Sequence, residues 1–184
     1  GDWRDDASLR AACAGKIYSM NTCRILLSDG SEAATGQTGE IWVTGSARMA
    51  GYYPRRIPEE ELVPTGDLGF LDEQGYLHIT GRKKDIIIRN GINLSPRPIE
   101  DALLSIPGVA EACVVGMPHV LQGEVPCALV VSSRTVMELF ATVQSLLPKN
   151  QIPVEIRIVE RMPMTGSGKI DKTAVREVLK QWIP

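Results

Sequence analysis

Three polar positions stand out because glycines flank them. Asp67 lies in Thr65-Gly66-Asp67-Leu68, where glycine permits a tight turn and leaves both carboxylate oxygens free to accept hydrogen bonds. Paired acceptors of that kind match the two hydroxyls of a vicinal diol such as a ribose. Arg82 follows Gly81 at the end of an apolar stretch. Lys169 closes Gly166-Ser167-Gly168-Lys169, a flexible loop that could carry an ammonium to developing negative charge and withdraw it. Each has a plainer reading: an aspartate that stabilises a turn, a surface arginine closing a strand, an exposed lysine in a turn. Ser-Gly-Lys also invites a phosphate-binding loop of the Walker type. That loop is excluded, because Pro163 stands where its first glycine must be and Ile170 where it needs Ser or Thr.

Taken together, Thr65 to Leu68, GRKKDIIIRNGINLSPRPIE from Gly81 to Glu100 and PMTGSGKID from Pro163 to Asp171 resemble the adenylate-forming superfamily. Its members are acyl-CoA synthetases, fatty acyl-AMP ligases, luciferases and the adenylation domains of peptide synthetases. The resemblance covers nearly the whole chain but only the second part of such an enzyme. The family's upstream Ser/Thr/Gly-rich loop ending in Lys, and its Tyr-Gly and Thr-Glu element for adenine and magnesium, do not occur here. The expectation is therefore a C-terminal fragment of a larger ligase.

The resemblance implies roles residue by residue. Asp67 and Arg82 would bind the nucleotide at its ribose and phosphates, the planar arginine fork suiting that task better than lysine. Lys84 would be the hinge, with Lys83 and Asp85 as competitors, for rotation of the C-terminal part between an adenylate-forming and a thioester-forming pose. Arg89, Asn90 and Gly91 would line the tunnel for a pantetheine thiol; a simple Asn-Gly hairpin between Ile88 and Ile92 is equally consistent. Lys169 would be the catalytic residue of adenylation. The implied cofactors are ATP, Mg2+ with ligands outside this chain, and CoA or phosphopantetheine. The implied partners are the N-terminal AMP-binding domain, a carboxylic acid, and CoA or an acyl carrier protein. Asn93-Leu94-Ser95-Pro96 ahead of Ile99-Glu100 looks more like acyl- or aryl-CoA synthetases and fatty acyl-AMP ligases than like peptide-synthetase domains. The second reading is a non-catalytic module that docks on a carrier protein or a separate large subunit.

The elements that must position these residues form an α+β chain of two parts: a β-rich tail of the large AMP-binding domain over 1–80 and a compact α+β lid domain over 81–184. Arg24 to Leu27, Glu40 to Val43 and Tyr76 to Thr80 read as strands, with Asp29-Gly30 and Gln74-Gly75 as turns. Gly39 to Tyr53 is read as structural, and Tyr53 to Pro64 as an exposed loop. After Gly81, Ile86 to Ile88 reads as a strand, and Ser95-Pro96 starts a helix that stops near Ser105. Ala112 to Gly116 and Ala128 to Val131 read as paired strands. Thr135 and Glu138 form a capping box for a helix to about Leu147. A strand over Val154 to Val159 and a helix from about Lys172 to Gln181 complete the order β-α-β-β-α-β-α, a sheet with helices packed on it.

Composition narrows the classes. The 184 residues carry 43% apolar side chains, enough for a packed core without metals or disulfides. A net charge of -2 gives no basic excess for nucleic acid, apart from the local Arg82, Lys83 and Lys84 cluster. Cys13, Cys23, Cys113 and Cys127 stand far apart without a CxxC pair or a histidine at ligand spacing, so no metal site is expected and reduced, buried thiols are. No stretch reaches the roughly 18 apolar residues of a membrane span, and a cytoplasmic protein is expected. His78 and His119 have no nucleophile context and are given no catalytic role.

Overall fold

The computed structural model describes residues 6–46, 48–51, 53–54, 56–58 and 60–181, so Ala47, Tyr52, Arg55 and Glu59, within the segments expected at Gly39 to Tyr53 and Tyr53 to Pro64, lie outside the described residues. The chain divides into two compact units, 1–84 and 85–184.

The first unit opens with the short helix α1 (Ala7–Ala12), capped by the Asp6 carboxylate on the Ser8 amide, an element the sequence reading did not anticipate. Five strands follow: β1 (Gly15–Lys16), β2 (Asn21–Leu26), β3 (Gly39–Gly45), β4 (Val63–Leu71) and β5 (Tyr76–Arg82). They form one antiparallel sheet in the order β1-β5-β4-β3-β2. Alternation places Ile25, Ile41 and Leu77 on one face, where Cys23, Val43 and Leu71 pack around them. Strand β4 departs from expectation, since Pro64, Gly66 and Gly69 read as breaks rather than as strand. Pairing on both sides overrides that local preference, and a bulge at Leu68/Gly69 absorbs the irregularity. Gly69 is required there because a Cβ would collide with the His78 carbonyl of β5. His78 itself stacks on Phe70 at 4.7 Å and bonds Asp72 at 2.8 Å, a structural role.

A 3-10 turn at Lys83–Asp85 straddles the point in the sequence where the first unit gives way to the second, which begins at Asp85. The second unit continues through β6 (Ile87–Arg89), β7 (Ile92–Leu94), α2 (Pro96–Leu104), β8 (Val109–His119), β9 (Gly123–Ser132), α3 (Val136–Leu146), β10 (Glu155–Ile158) and α4 (Lys172–Lys180). The expected order is recovered with one addition, because the Ile86 to Ile88 strand is half of a hairpin with β7. The strand pair β8 and β9 is longer than its apolar runs suggested, and β10 joins β9 in parallel.

The β8/β9 part of this sheet is buried on both faces, and side-chain alternation divides it into two cores. Ala112, Val114, Ala128, Val130 and Ile156 face Ile99 and Leu103 of α2 and Leu139 and Val143 of α3. Cys113, Val115, Cys127 and Leu129 point the opposite way, onto Val175 and Leu179 of α4. Strands buried on both faces read as continuous apolar runs, which is why Ala112 to Gly116 was legible. The α3 cap forms as expected: the Thr135 hydroxyl accepts from the Glu138 amide, and the Glu138 carboxylate accepts from the Thr135 amide at 2.8 Å. Donation from the Thr135 amide and hydroxyl holds the Glu138 carboxyl below its ordinary value. Ser95 precedes α2 with extended backbone, but its side chain does not cap the helix.

Burial pushes the Cys113 and Cys127 thiols from 9.0 up to about 11. Their neutral forms support the fold below about pH 9, and that support is lost as pH rises toward about 11. At pH 8 about one thiol in 1,000 would be ionised in the folded chain. Both cysteines should therefore resist a disulfide reagent at pH 8 and react once the chain is unfolded in urea. Rapid labelling of either in the folded chain would contradict this packing.

Candidate functional site

Asp67 and Arg82 are neighbours by strand register, on β4 and β5. Arg82 Nε lies 2.9 Å from Asp67 Oδ1, with the carboxylate 26% and the guanidinium 56% exposed. The Thr65 hydroxyl donates to the Ile41 carbonyl at 2.9 Å and accepts from the Asp67 amide at 3.1 Å. Gly66, between them, adopts φ +74°. The Thr-Gly-Asp segment is thus a braced kink in a strand that presents a carboxylate beside a fixed guanidinium. A diol could donate to the one and accept from the other, and an anion could pair with the second arm of the fork.

Ion pairs close to residue 84 lie on either side of it. Lys83 Nζ bonds Glu40 Oε2 of β3 at 2.9 Å, within the first unit. Asp85 Oδ2 accepts from Lys172 Nζ at 2.8 Å, within the second unit. Among the described residues, the Lys84 side chain makes no hydrogen bond or ion pair, and it is exposed. Sequence reasoning offered Lys83, Lys84 and Asp85 as alternatives; the geometry anchors the outer two and leaves the middle one unheld. Neither anchor was foreseen. Glu40 is the only charge in β3, whereas Lys172 opens a helix that also carries Arg176, Glu177 and Lys180 and so does not stand out.

Lys169 is exposed on a turn that is better ordered than a flexible tether. Met164 and Ile170 bridge in antiparallel fashion, and the Thr165 amide donates to the Lys169 carbonyl at 2.7 Å. The Thr165 hydroxyl accepts from the Lys169 amide at 3.2 Å and lies 3.0 Å from the Ser167 hydroxyl. The glycine-rich composition suggested looseness; threonine at its first position supplies the bonds that close it. Asp171 then caps α4 by accepting from the Thr173 and Ala174 amides.

Asn90 and Gly91 form the two-residue turn of the β6/β7 hairpin, with φ of 51° and 76°. Arg89 is committed locally: its Nε donates to Gln122 at 2.7 Å and its Nη1 to the Asn150 carbonyl at 2.9 Å. It braces the turn, and the exposed tip consists of Asn90 and Gly91. Among the described residues no group of three or more His, Cys, Asp or Glu could hold a metal ion, and no helix is long and apolar enough to cross a membrane.

A family model for the AMP-binding enzyme C-terminal domain matches residues 98–169. A peroxisomal trans-cinnamate:CoA ligase of Petunia hybrida is 33% identical over 190 residues, covering 97% of this chain and 33% of that enzyme. Among solved structures, ATP-bound MatB from Rhodopseudomonas palustris superposes with a TM-score of 0.83 at 31% identity, covering 92% of this chain and 36% of that one. The o-succinylbenzoate CoA synthetase of Bacillus subtilis with its acyl-adenylate intermediate gives a TM-score of 0.81 at 33% identity, covering 95% and 36%.

The chain belongs to the adenylate-forming, AMP-binding enzymes. Its fold is that of the C-terminal portion of these enzymes, and it spans about a third of the length of the curated relatives it matches. Within this adenylate-forming fold, Asp67 and Arg82 are brought together in the first unit, while Lys169 and the Asn90-Gly91 tip belong to the second.

Thr165→Val should remove the bonds that close the Lys169 turn. A cost of about 0.5–1 kcal/mol in urea unfolding is expected, with faster exchange of the Lys169 amide. An unchanged amide rate would show that the hydroxyl does not hold the turn.

Proposed function

We propose that this chain is the nucleotide-clasping and lid portion of an ATP-dependent acid–thiol ligase. Such an enzyme activates a carboxylic acid, fatty or aryl, as an acyl-adenylate and passes the acyl group to CoA or a carrier-protein pantetheine. The observation that carries this reading is the pairing of Asp67 with Arg82 in one unit and the ordered presentation of Lys169 in the other. Two of the named relatives support it, a trans-cinnamate:CoA ligase and an o-succinylbenzoate CoA synthetase.

In the first half-reaction a substrate carboxylate oxygen attacks the α-phosphorus of ATP; the P–O bond to pyrophosphate breaks, and its electron pair leaves with pyrophosphate. Asp67 would accept from the ribose hydroxyls, with Arg82 holding that carboxylate in place and facing the phosphates. Lys169 would offer its ammonium to the negative charge that grows on the equatorial and leaving oxygens. Mg2+, held by residues outside this chain, would shield the triphosphate. In the second half-reaction a thiol sulfur attacks the acyl carbonyl, a C–S bond forms and AMP leaves with the C–O pair. Rotation at Lys84 would withdraw Lys169 and bring the Asn90-Gly91 tip to the path of the thiol, where the absence of a side chain at Gly91 allows close passage.

A chimera in which this chain replaces the corresponding last third of a relative tests the proposal through both half-reactions. Lys169→Ala should lower acid-dependent ATP–pyrophosphate exchange by about 10²-fold or more. Thioester formation from supplied acyl-adenylate should change far less. Equal loss in both would remove Lys169 from the adenylation step. A well-folded parent chimera without exchange on any fatty or aryl acid would favour a non-catalytic docking module.

A further inference from the structure

Lys172 occupies a position that neither the motif readings nor the relatives assign. It is the first residue of α4, three positions after Lys169, and its ammonium lies 2.8 Å from Asp85 and 4.0 Å from Glu100 of α2. Both carboxylates are largely enclosed, at 13% and 17% exposure, and Lys172 at 30%. Glu100 is itself fixed, because its Oε1 accepts from the Val114 amide of β8 at 2.9 Å. The chain of contacts therefore runs from the residue after Lys84, through Lys172, to the α2 carboxylate and the β8 backbone. Only Asp171, which caps α4, and Ile170, which bridges Met164, separate Lys172 from the Lys169 turn. An enclosed carboxylate that loses its cation is left uncompensated, so this lysine is a costly group to remove.

We infer that Lys172 is a positioning residue that locks Asp85 and the Lys169 turn into one rigid piece, so that torsional change between the units is confined to Lys84. This rests on the ligase reading for its consequence, although the coupling itself is a property of the chain alone. On the other side Lys83 pairs with Glu40 within the first unit, so ion pairs flank residue 84, the enclosed one on the Asp85 side. Without the Lys172 clamp the joint would spread into residues 85 and 86, and Lys169 would arrive at the α-phosphate with a scatter of positions. Misplacement of about 1 Å is enough to lose much of an oriented reaction's rate.

Amide hydrogen exchange on the 184-residue chain tests the coupling without any activity. Lys172→Met, which keeps the aliphatic stem, should speed exchange by about tenfold in both 85–88 and 164–172 while the β8/β9 amides keep their rates. Lys172→Arg should restore both segments. If Lys172→Met does not fold, Asp85→Asn serves in its place and should loosen the same two segments together. Loosening of one segment with the other unchanged overturns the inference. In the chimera, Lys172→Met should lower the exchange kcat by about tenfold with the KM for ATP within about twofold of the parent, because Asp67 and Arg82 are untouched. A rise in KM alone contradicts the positioning role. An inactive parent chimera counts against the ligase reading and leaves the coupling to be decided by hydrogen exchange.

Discussion

The β8/β9 ladder, covered on both faces, is the constraint on which the second unit depends. Its alternate residues feed two separate cores, one under α2 and α3 and one under α4, so no helix can shift without opening a face of the same sheet. Interiors packed in this way deform as units rather than locally. The outer edge of β8 is where the helices on opposite faces meet through charge: Glu100 accepts from the Val114 amide and faces Lys172, which in turn holds Asp85. A sheet built only for stability has no need of a half-enclosed ion pair at its edge, since an apolar replacement often serves as well. A pair placed between the entry of the unit and the turn bearing Lys169 has a geometric use, which is to make both move together.

The first unit is built on a thinner principle. Its sheet is antiparallel throughout and has a small core of Ile25, Ile41 and Leu77, with one polar kink at Thr65-Gly66-Asp67. The kink is braced by a hydroxyl and a register partner, so the carboxylate and the guanidinium of Arg82 hold each other in place. Such a clasp suits a ligand with paired hydroxyls next to phosphate. Clasp and mobile lysine divide the work of the proposed reaction: the first unit holds, and the second delivers and withdraws.

Much of this was legible in the sequence, for identifiable reasons. The two-sided strands appeared as apolar runs, the α3 cap as Thr135 and Glu138, and the Asn90-Gly91 hairpin as a turn dipeptide between isoleucines, because each depends on residues close in sequence. Strand β4 was missed because its proline and two glycines argue against a strand locally and only pairing on both sides makes it one. The order of the Lys169 turn was missed because glycine composition hides what one threonine hydroxyl does. The ion pairs flanking Lys84 join positions 43 and 87 residues apart, and no local pattern encodes them.

In the proposed reaction Lys84 is the joint. Residues 83–85 form a 3-10 turn, a conformation whose general φ range brackets the roughly −65° that proline imposes. Lys84→Pro should therefore fold and freeze this conformation. Measured in the chimera, adenylation and thioester formation should separate, one retained and the other reduced by about tenfold or more. Rates for both half-reactions within about twofold of the parent would contradict a pivot at this residue.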